Sequence, residues 1–227
     1  MKKKKIKGII FDMDNTILRS SIDFQSMKNE TFEFLVSQGI LPAELDITNH
    51  TSSTIIAEAI ITDRMTDALV KEMWEIPKRF EIIGMRNADL EPGVIELLEE
   101  LHDRYCMVVV TNNSIEAAEG ALRNNGVLEY FDCVVGREWM NSLKPSPDGF
   151  LYVLQRYTNI TAEEWISIGD SWIDGKASIE AGIRFISYQG DAETMKKMGV
   201  CPSAEITDIR ELKNLLINNE EHEELKW

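Results

Sequence analysis

Long apolar runs are missing from this chain. No stretch approaches the ~20 residues that a membrane-crossing helix needs. The basic N-terminus (Lys2 to Lys5, Lys7) is followed only by Gly8 to Phe11 before Asp12 interrupts. That is too short for the ~7–15 apolar residues of a signal peptide, so a solvated basic tail, a leading strand and a cytoplasmic location are expected. Cysteine is scarce: Cys106, Cys133 and Cys201 are odd in number and far apart. With no CxxC pair and no Cys/His cluster, a disulfide framework and a zinc site are both disfavoured. His50, His102 and His222 lack a Ser or Cys partner motif and read as solvated. Basic residues are outnumbered, 24 against 39 acidic, for a net charge of −15. Such a surface repels nucleic acid and anionic membrane. An anionic ligand would then need local positive charge from a metal, a lysine or backbone N–H groups.

What is present is an alternation. The 227 residues, 44% hydrophobic, suit one sizeable domain or a domain with an inserted partner. Continuous apolar runs over 6–11, 106–110, 131–136, 165–170, 184–188 and 204–206 read as buried strands. Helical patterns lie between them: one opened by Pro92, then 115–125, 146–157 and 174–181, with 209–216 near the end. Strands alternating with helices imply crossovers, hence an α/β fold with a parallel sheet and helices on both faces. The stretch from 19 to 90 breaks the rule, with helical faces such as Phe24, Met27, Phe32, Leu35 and Val36 but no convincing strand. The expected organisation is a core of 1–18 and 91–217, an all-helical cap of 19–90 and an acidic tail over 218–227.

In a parallel α/β sheet the ligand site lies at the carboxyl ends of the strands. The first strand ends in Asp12-Met13-Asp14-Asn15-Thr16 and the second in Thr111-Asn112. Lys144-Pro145 follows the third, and the fourth ends in Asp170, with Asp174 four residues on. On an extended strand Asp12 and Asp14 face the same side and Met13 faces away. Two carboxylates this close raise each other's pKa unless a cation intervenes. Mg²⁺, which favours carboxylates, water and phosphate oxygens, is the natural one. Singly, each residue has a plain structural alternative: a turn former, an ordinary loop, or a helix cap for Asp170 and Asp174. Jointly they read as a catalytic set.

These segments resemble the motifs of the haloacid dehalogenase superfamily of phosphotransferases. DxDxT is met by Asp12, Asp14 and Thr16, the second motif by Thr111, the third by Lys144, and GDSxxD by Gly169, Asp170, Ser171 and Asp174. The resemblance covers roughly 6–18 and 91–206. It implies a Rossmann-like core and Mg²⁺ bound by Asp12, Asp170 and the backbone carbonyl of Asp14. It further implies Asp12 as nucleophile and Asp14 as proton carrier. Thr111, Asn112 and Lys144 would bind phosphate, with Thr16 and Asp174 supporting.

Asp14 selects a branch, because family members that attack carbon lack the second aspartate. The insertion resembles the helical cap of the phosphoglycolate phosphatase and β-phosphoglucomutase branch. Two positions depart from many relatives: Asn15 stands where Gly is common, and Arg19 where Asp is common. Arg19 is either a contact for an anionic leaving group or a solvated hinge residue. The expected activity is a Mg²⁺-dependent phosphatase for a small phosphorylated metabolite, without nucleic acid or membrane partners. A sugar phosphomutase and a non-catalytic regulator are the alternatives, and monomer and homodimer both stay open.

Overall fold

The computed structural model of the protein describes residues 4–224, with side chains up to 217. Lys2, Lys3, the side chain of His222 and the expected tail over 218–227 lie outside what is described, apart from the backbone of 218–224. The strands are β1 (Gly8–Phe11), β2 (Leu18–Arg19), β3 (Asp89–Leu90), β4 (Cys106–Val110), β5 (Cys133–Val135), β6 (Trp165–Gly169), β7 (Arg184–Tyr188) and β8 (Ala204–Ile206). The helices are α1 (Phe24–Ser37), α2 (Ser52–Ile60), α3 (Asp67–Met85), α4 (Val94–Leu101), α5 (Ile115–Asn124), α6 (Asp148–Arg156), α7 (Trp172–Glu180), α8 (Ala192–Lys197) and α9 (Glu211–Glu224). Among the described residues no helix is long and apolar enough to cross a membrane.

One six-stranded sheet carries the core, in the order β5-β4-β1-β6-β7-β8. Every neighbouring pair is parallel. Both faces are covered, which is why its strands read as continuous apolar runs. Alternate residues serve opposite faces. Ile9, Phe11, Met107, Val109, Ile166 and Ile168 pack with Val94, Leu98, Leu122 and Leu212 of α4, α5 and α9. Ile10, Val108 and Val110 pack on the other face with Phe150, Val153 and Ala177 of α6 and α7. α4 shows the logic locally: Val94, Leu97, Leu98 and Leu101, at i, i+3, i+4 and i+7, are all buried.

The chain leaves β1 toward β4 and β5 on one side and toward β6, β7 and β8 on the other. The crevice at the carboxyl end of β1 is therefore the switch point where such folds bind ligands. Between β2 and β3 the chain makes α1, α2 and α3, which enclose a separate cluster of Leu35, Ile55, Ile56, Ala59 and Met73. The structure adds an element to the all-helical reading of 19–90. β2 and β3 pair antiparallel at its mouth, Leu18 opposite Leu90 and Arg19 opposite Asp89. At two residues each they are too short to leave a periodic signal.

Candidate active site

β1 delivers Asp12 and Asp14 to the switch point. Asp12 N still donates to Ile168 O at 2.9 Å, so the ladder with β6 fixes the first aspartate. The chain then turns back, with Thr16, Ile17 and Leu18 N–H all donating to Met13 O. Asn15 takes the left-handed conformation (φ 57) that this turn demands. Asn is among the few non-glycine residues that adopt it readily. Met13 is fully buried in the core, leaving the two aspartates on the crevice side.

Lys144 is the electrostatic centre. It is 1% exposed, and its Nζ lies 2.6 Å from Asp12 Oδ1, 2.7 Å from Asp174 Oδ1 and 2.8 Å from Val110 O. Burial alone would lower its pKa, but Asp12 and then Asp174 outweigh that and hold it above the ordinary lysine value. Thr16 Oγ1 donates to Asp12 Oδ2 at 3.3 Å, and Asn15 Nδ2 to Asp170 Oδ2 at 3.4 Å. Asp174 Oδ2 accepts from Ser171 N at 3.1 Å, at the start of α7. Gly169 makes room for it: a Cβ there would stand 2.7 Å from Asp174 Oδ2.

The carboxylates outnumber the cation. Burial first, then Asp174, pushes Asp12 well above the usual range, and Lys144 opposes. Burial and then Asp174 push Asp170 up to about 7, and the Asn15 hydrogen bond opposes. Burial raises Asp14 to about 6 against the pull of Ser20 and Asn113. Carboxylate oxygens of Asp12, Asp170 and Asp174 come within 4.8 Å of one another. A compact set of hard oxygen donors with uncompensated negative charge fits a small divalent cation such as Mg²⁺.

Above this floor lies a cavity of about 350 Å³, lined by Asp12, Asp14, Asn15, Thr111, Asn112, Lys144, Asp170 and Asp174 from the core. Its roof is Phe24, Lys28, His50, Ile56 and Trp74 from the helical insertion. Thr111 is 1% exposed. The Asn112 side chain is used as a clamp, donating to Lys144 O at 3.0 Å and accepting from Lys144 N at 2.8 Å.

Arg19 is the predicted residue that does not join the others. It lies outside the cavity lining, with Nε 3.3 Å from Glu91 Oε1 beside the β2–β3 ribbon. The same Glu91 accepts from Tyr188 Oη at 3.2 Å. His50, expected to be solvated, instead lines the cavity with Nδ1 3.2 Å from Thr54 Oγ1.

Asn113, Glu81 and Arg137 escaped the sequence reading. Asn113 Nδ2 donates to Asp14 Oδ2 at 2.6 Å. Glu81, on α3, pairs with the buried Arg137 after β5 and accepts from Ser114 N at 3.2 Å. A signal existed: Glu81 falls on the buried stripe of Met73, Ile76, Pro77, Gly84 and Met85, and an acid on an apolar stripe needs a partner.

The comparisons with known proteins point to one family. The family model "Haloacid dehalogenase-like hydrolase" matches residues 9–188. A phosphoglycolate phosphatase of Vibrio vulnificus (strain CMCP6) is 26% identical over 190 residues, 80% of this chain and 83% of its own. The fructose-1-phosphate phosphatase YqaB of Escherichia coli (strain K12) is 30% identical over 158 residues, 67% of this chain and 81% of its own. Magnesium-bound YfnB of Bacillus subtilis superposes with a TM-score of 0.61 at 25% identity, covering 94% of this chain and 99% of its own. With the DxDxT loop, Thr111, Lys144 and the Asp170–Asp174 turn gathered at one switch point, the chain belongs to the haloacid dehalogenase-like hydrolases and is a phosphatase of that family.

Proposed function

We propose that the protein hydrolyses the phosphomonoester of a small metabolite through a phosphoryl group carried on Asp12. The observation that carries this reading is the placement of Asp12. One of its oxygens is held by Lys144 at 2.6 Å and the other by Thr16 at 3.3 Å, at the floor of a cavity it shares with Asp14. Lys144 favours the ionised form of that carboxylate against the burial and Asp174 that oppose it, and the cavity brings phosphorus to it. Asp12 attacks phosphorus and forms a new P–O bond as the bond to the leaving alcohol breaks. Asp14 delivers its proton to the departing oxygen. Asp14 then takes a proton from the water that attacks the aspartyl-phosphate, freeing Asp12 and inorganic phosphate. Thr111, the backbone of Asn112 and Lys144 spread the charge on the transferring oxygens. Asp12 and Asp170, with the carbonyl of Asp14, would hold Mg²⁺, and Asp174 would support them. When bound, Mg²⁺ neutralises the phosphoryl oxygens and lowers the repulsion between nucleophile and substrate.

The insertion over 19–90 acts in this reading as a cap that excludes bulk water and admits small substrates. The named relatives favour phosphoglycolate or a sugar phosphate, and the free thiols Cys106, Cys133 and Cys201 favour the cytoplasm. The test is a panel of phosphorylated metabolites with Mg²⁺ that includes phosphoglycolate and fructose 1-phosphate. Inorganic phosphate should appear mole for mole with substrate loss, and Asp12→Asn should release none. Substrate loss without free phosphate would make the protein a mutase instead.

A further inference from the structure

The two oxygens of Asp14 are not equivalent. Oδ2 accepts a 2.6 Å hydrogen bond from Asn113 Nδ2. Oδ1 is buried without a hydrogen-bond partner, and the Ser20 hydroxyl also acts on the carboxylate, drawing its pKa down. A carboxylate that moves a proton acts from one oxygen in one direction, and the neighbours that lock it set that direction. Asn113 is 5% exposed and itself locked. Its N–H donates to Thr111 Oγ1 at 3.2 Å, and its carbonyl accepts from Arg137 N at 3.0 Å. The next N–H, of Ser114, donates to Glu81 Oε2 at 3.2 Å. The other Glu81 oxygen is paired with the Arg137 guanidinium, which lies 4.8 Å over the Trp74 ring.

We infer that Asn113 is a positioning residue for the reaction: its amide fixes the orientation in which the Asp14 carboxyl group reaches the cavity, and the Glu81–Arg137 pair holds Asn113 in place. The inference rests on the reading that Asp14 carries the leaving-group proton. It makes the effect of Asn113 depend on the leaving group. An alkoxide needs the proton as its P–O bond breaks, whereas p-nitrophenolate departs as a stable anion and needs it least.

The experiment compares kcat and KM on p-nitrophenyl phosphate and on the best alkyl phosphomonoester of the panel, for wild type, Asn113→Ala, Asn113→Asp and Asp14→Asn. Asn113→Ala keeps both main-chain bonds and loses only the amide. It should lower kcat on the alkyl substrate roughly 10- to 100-fold, a fraction of what a general acid supplies. On p-nitrophenyl phosphate kcat should change by less than about threefold, with KM little moved on either. Asn113→Asp has the same size but turns an acceptor toward an acceptor, so its selective loss should be at least as large. It carries the comparison alone if the alanine variant fails to fold. Equal losses on the two substrates, or no loss, would overturn the inference. Selective loss in Asp14→Asn but not in the Asn113 variants would overturn the positioning role and leave the proton role standing. No selectivity in Asp14→Asn would overturn both.

Discussion

Lys144 and the carboxylates around it set the behaviour of single residues here. A buried lysine bonded to two aspartates is stable only while the set is complete. Removing the cation leaves Asp12 and Asp174 facing each other out of water, which costs about 3–5 kcal/mol for a buried pair broken on one side. Lys144→Ala should therefore lower the unfolding free energy by that order in chelator, as read by urea titration, and Mg²⁺ should recover part of it. Cysteine offers a contrast. Burial, then Asp132, pushes the Cys106 thiol up to about 12, and burial raises Cys133, while Cys201 is exposed. Since the thiolate is the reactive form, native protein at pH 8 should show one fast thiol toward an alkylating reagent, mapping to Cys201. Asp12, Asp14, Thr111 and Asp170 were legible because they follow runs that only a buried strand explains, whereas Lys144, in the loop past β5, and Asp174, in α7, were found through the resemblance. Arg19 stayed open between a leaving-group contact and a solvated hinge residue; the pair it forms with Glu91 could not be read from spacing, because the two lie 72 positions apart. Asn113 stood beside Thr111 and Asn112, but nothing in the spacing shows that its amide turns to Asp14.

Strands and helices were legible in proportion to how continuously they are buried. β4, β7 and β8 match the apolar runs read from sequence, and β1 and β6 lose only their ends. The α8 helix, six residues with only Met195 buried, has too little apolar face to announce itself. The three insertion helices show their stripes, yet Pro77 inside α3 and the two-residue β2–β3 ribbon carry no periodicity to read. Burial also separates costs. Ile10, in the middle of β1, is 0% exposed and packs against Val108, Val110 and Phe150, so Ile10→Ala should cost about 2–5 kcal/mol. Ile61, past the end of α2, is 72% exposed, and Ile61→Ala should stay within about 0.5 kcal/mol. Paired thermal melts of the two variants check this, and equal shifts would mean that β1 is not the centre of the packed sheet.

At the scale of the whole molecule, negative charge has been concentrated where a cation is needed. Asp12, Asp14 and Asp170 all bind protons more tightly in the folded protein than in the unfolded chain. Between pH of about 4 and about 7 the folded state therefore holds protons that the unfolded state has released, and this contribution to stability falls as pH rises. A cation favours the ionised forms, so Mg²⁺ should raise the melting temperature more at pH 7.5 than at pH 5.0. Equal shifts would separate the metal from these carboxylates. The sequence pointed to repulsion between Asp12 and Asp14 but not to burial and Asp174 as the leading causes, because these depend on a switch point that exists only once the sheet is ordered β5-β4-β1-β6-β7-β8. It did show the residues that the switch point gathers. The central claim is that the phosphoryl group passes through Asp12. Enzyme quenched in acid during turnover, reduced with borohydride and digested for mass spectrometry tests it directly. An aspartyl-phosphate at position 12 would be recovered as homoserine in the peptide spanning β1, and Asp12→Asn would give none. Homoserine at a different aspartate, or phosphate release that continues in Asp12→Asn, would contradict the account.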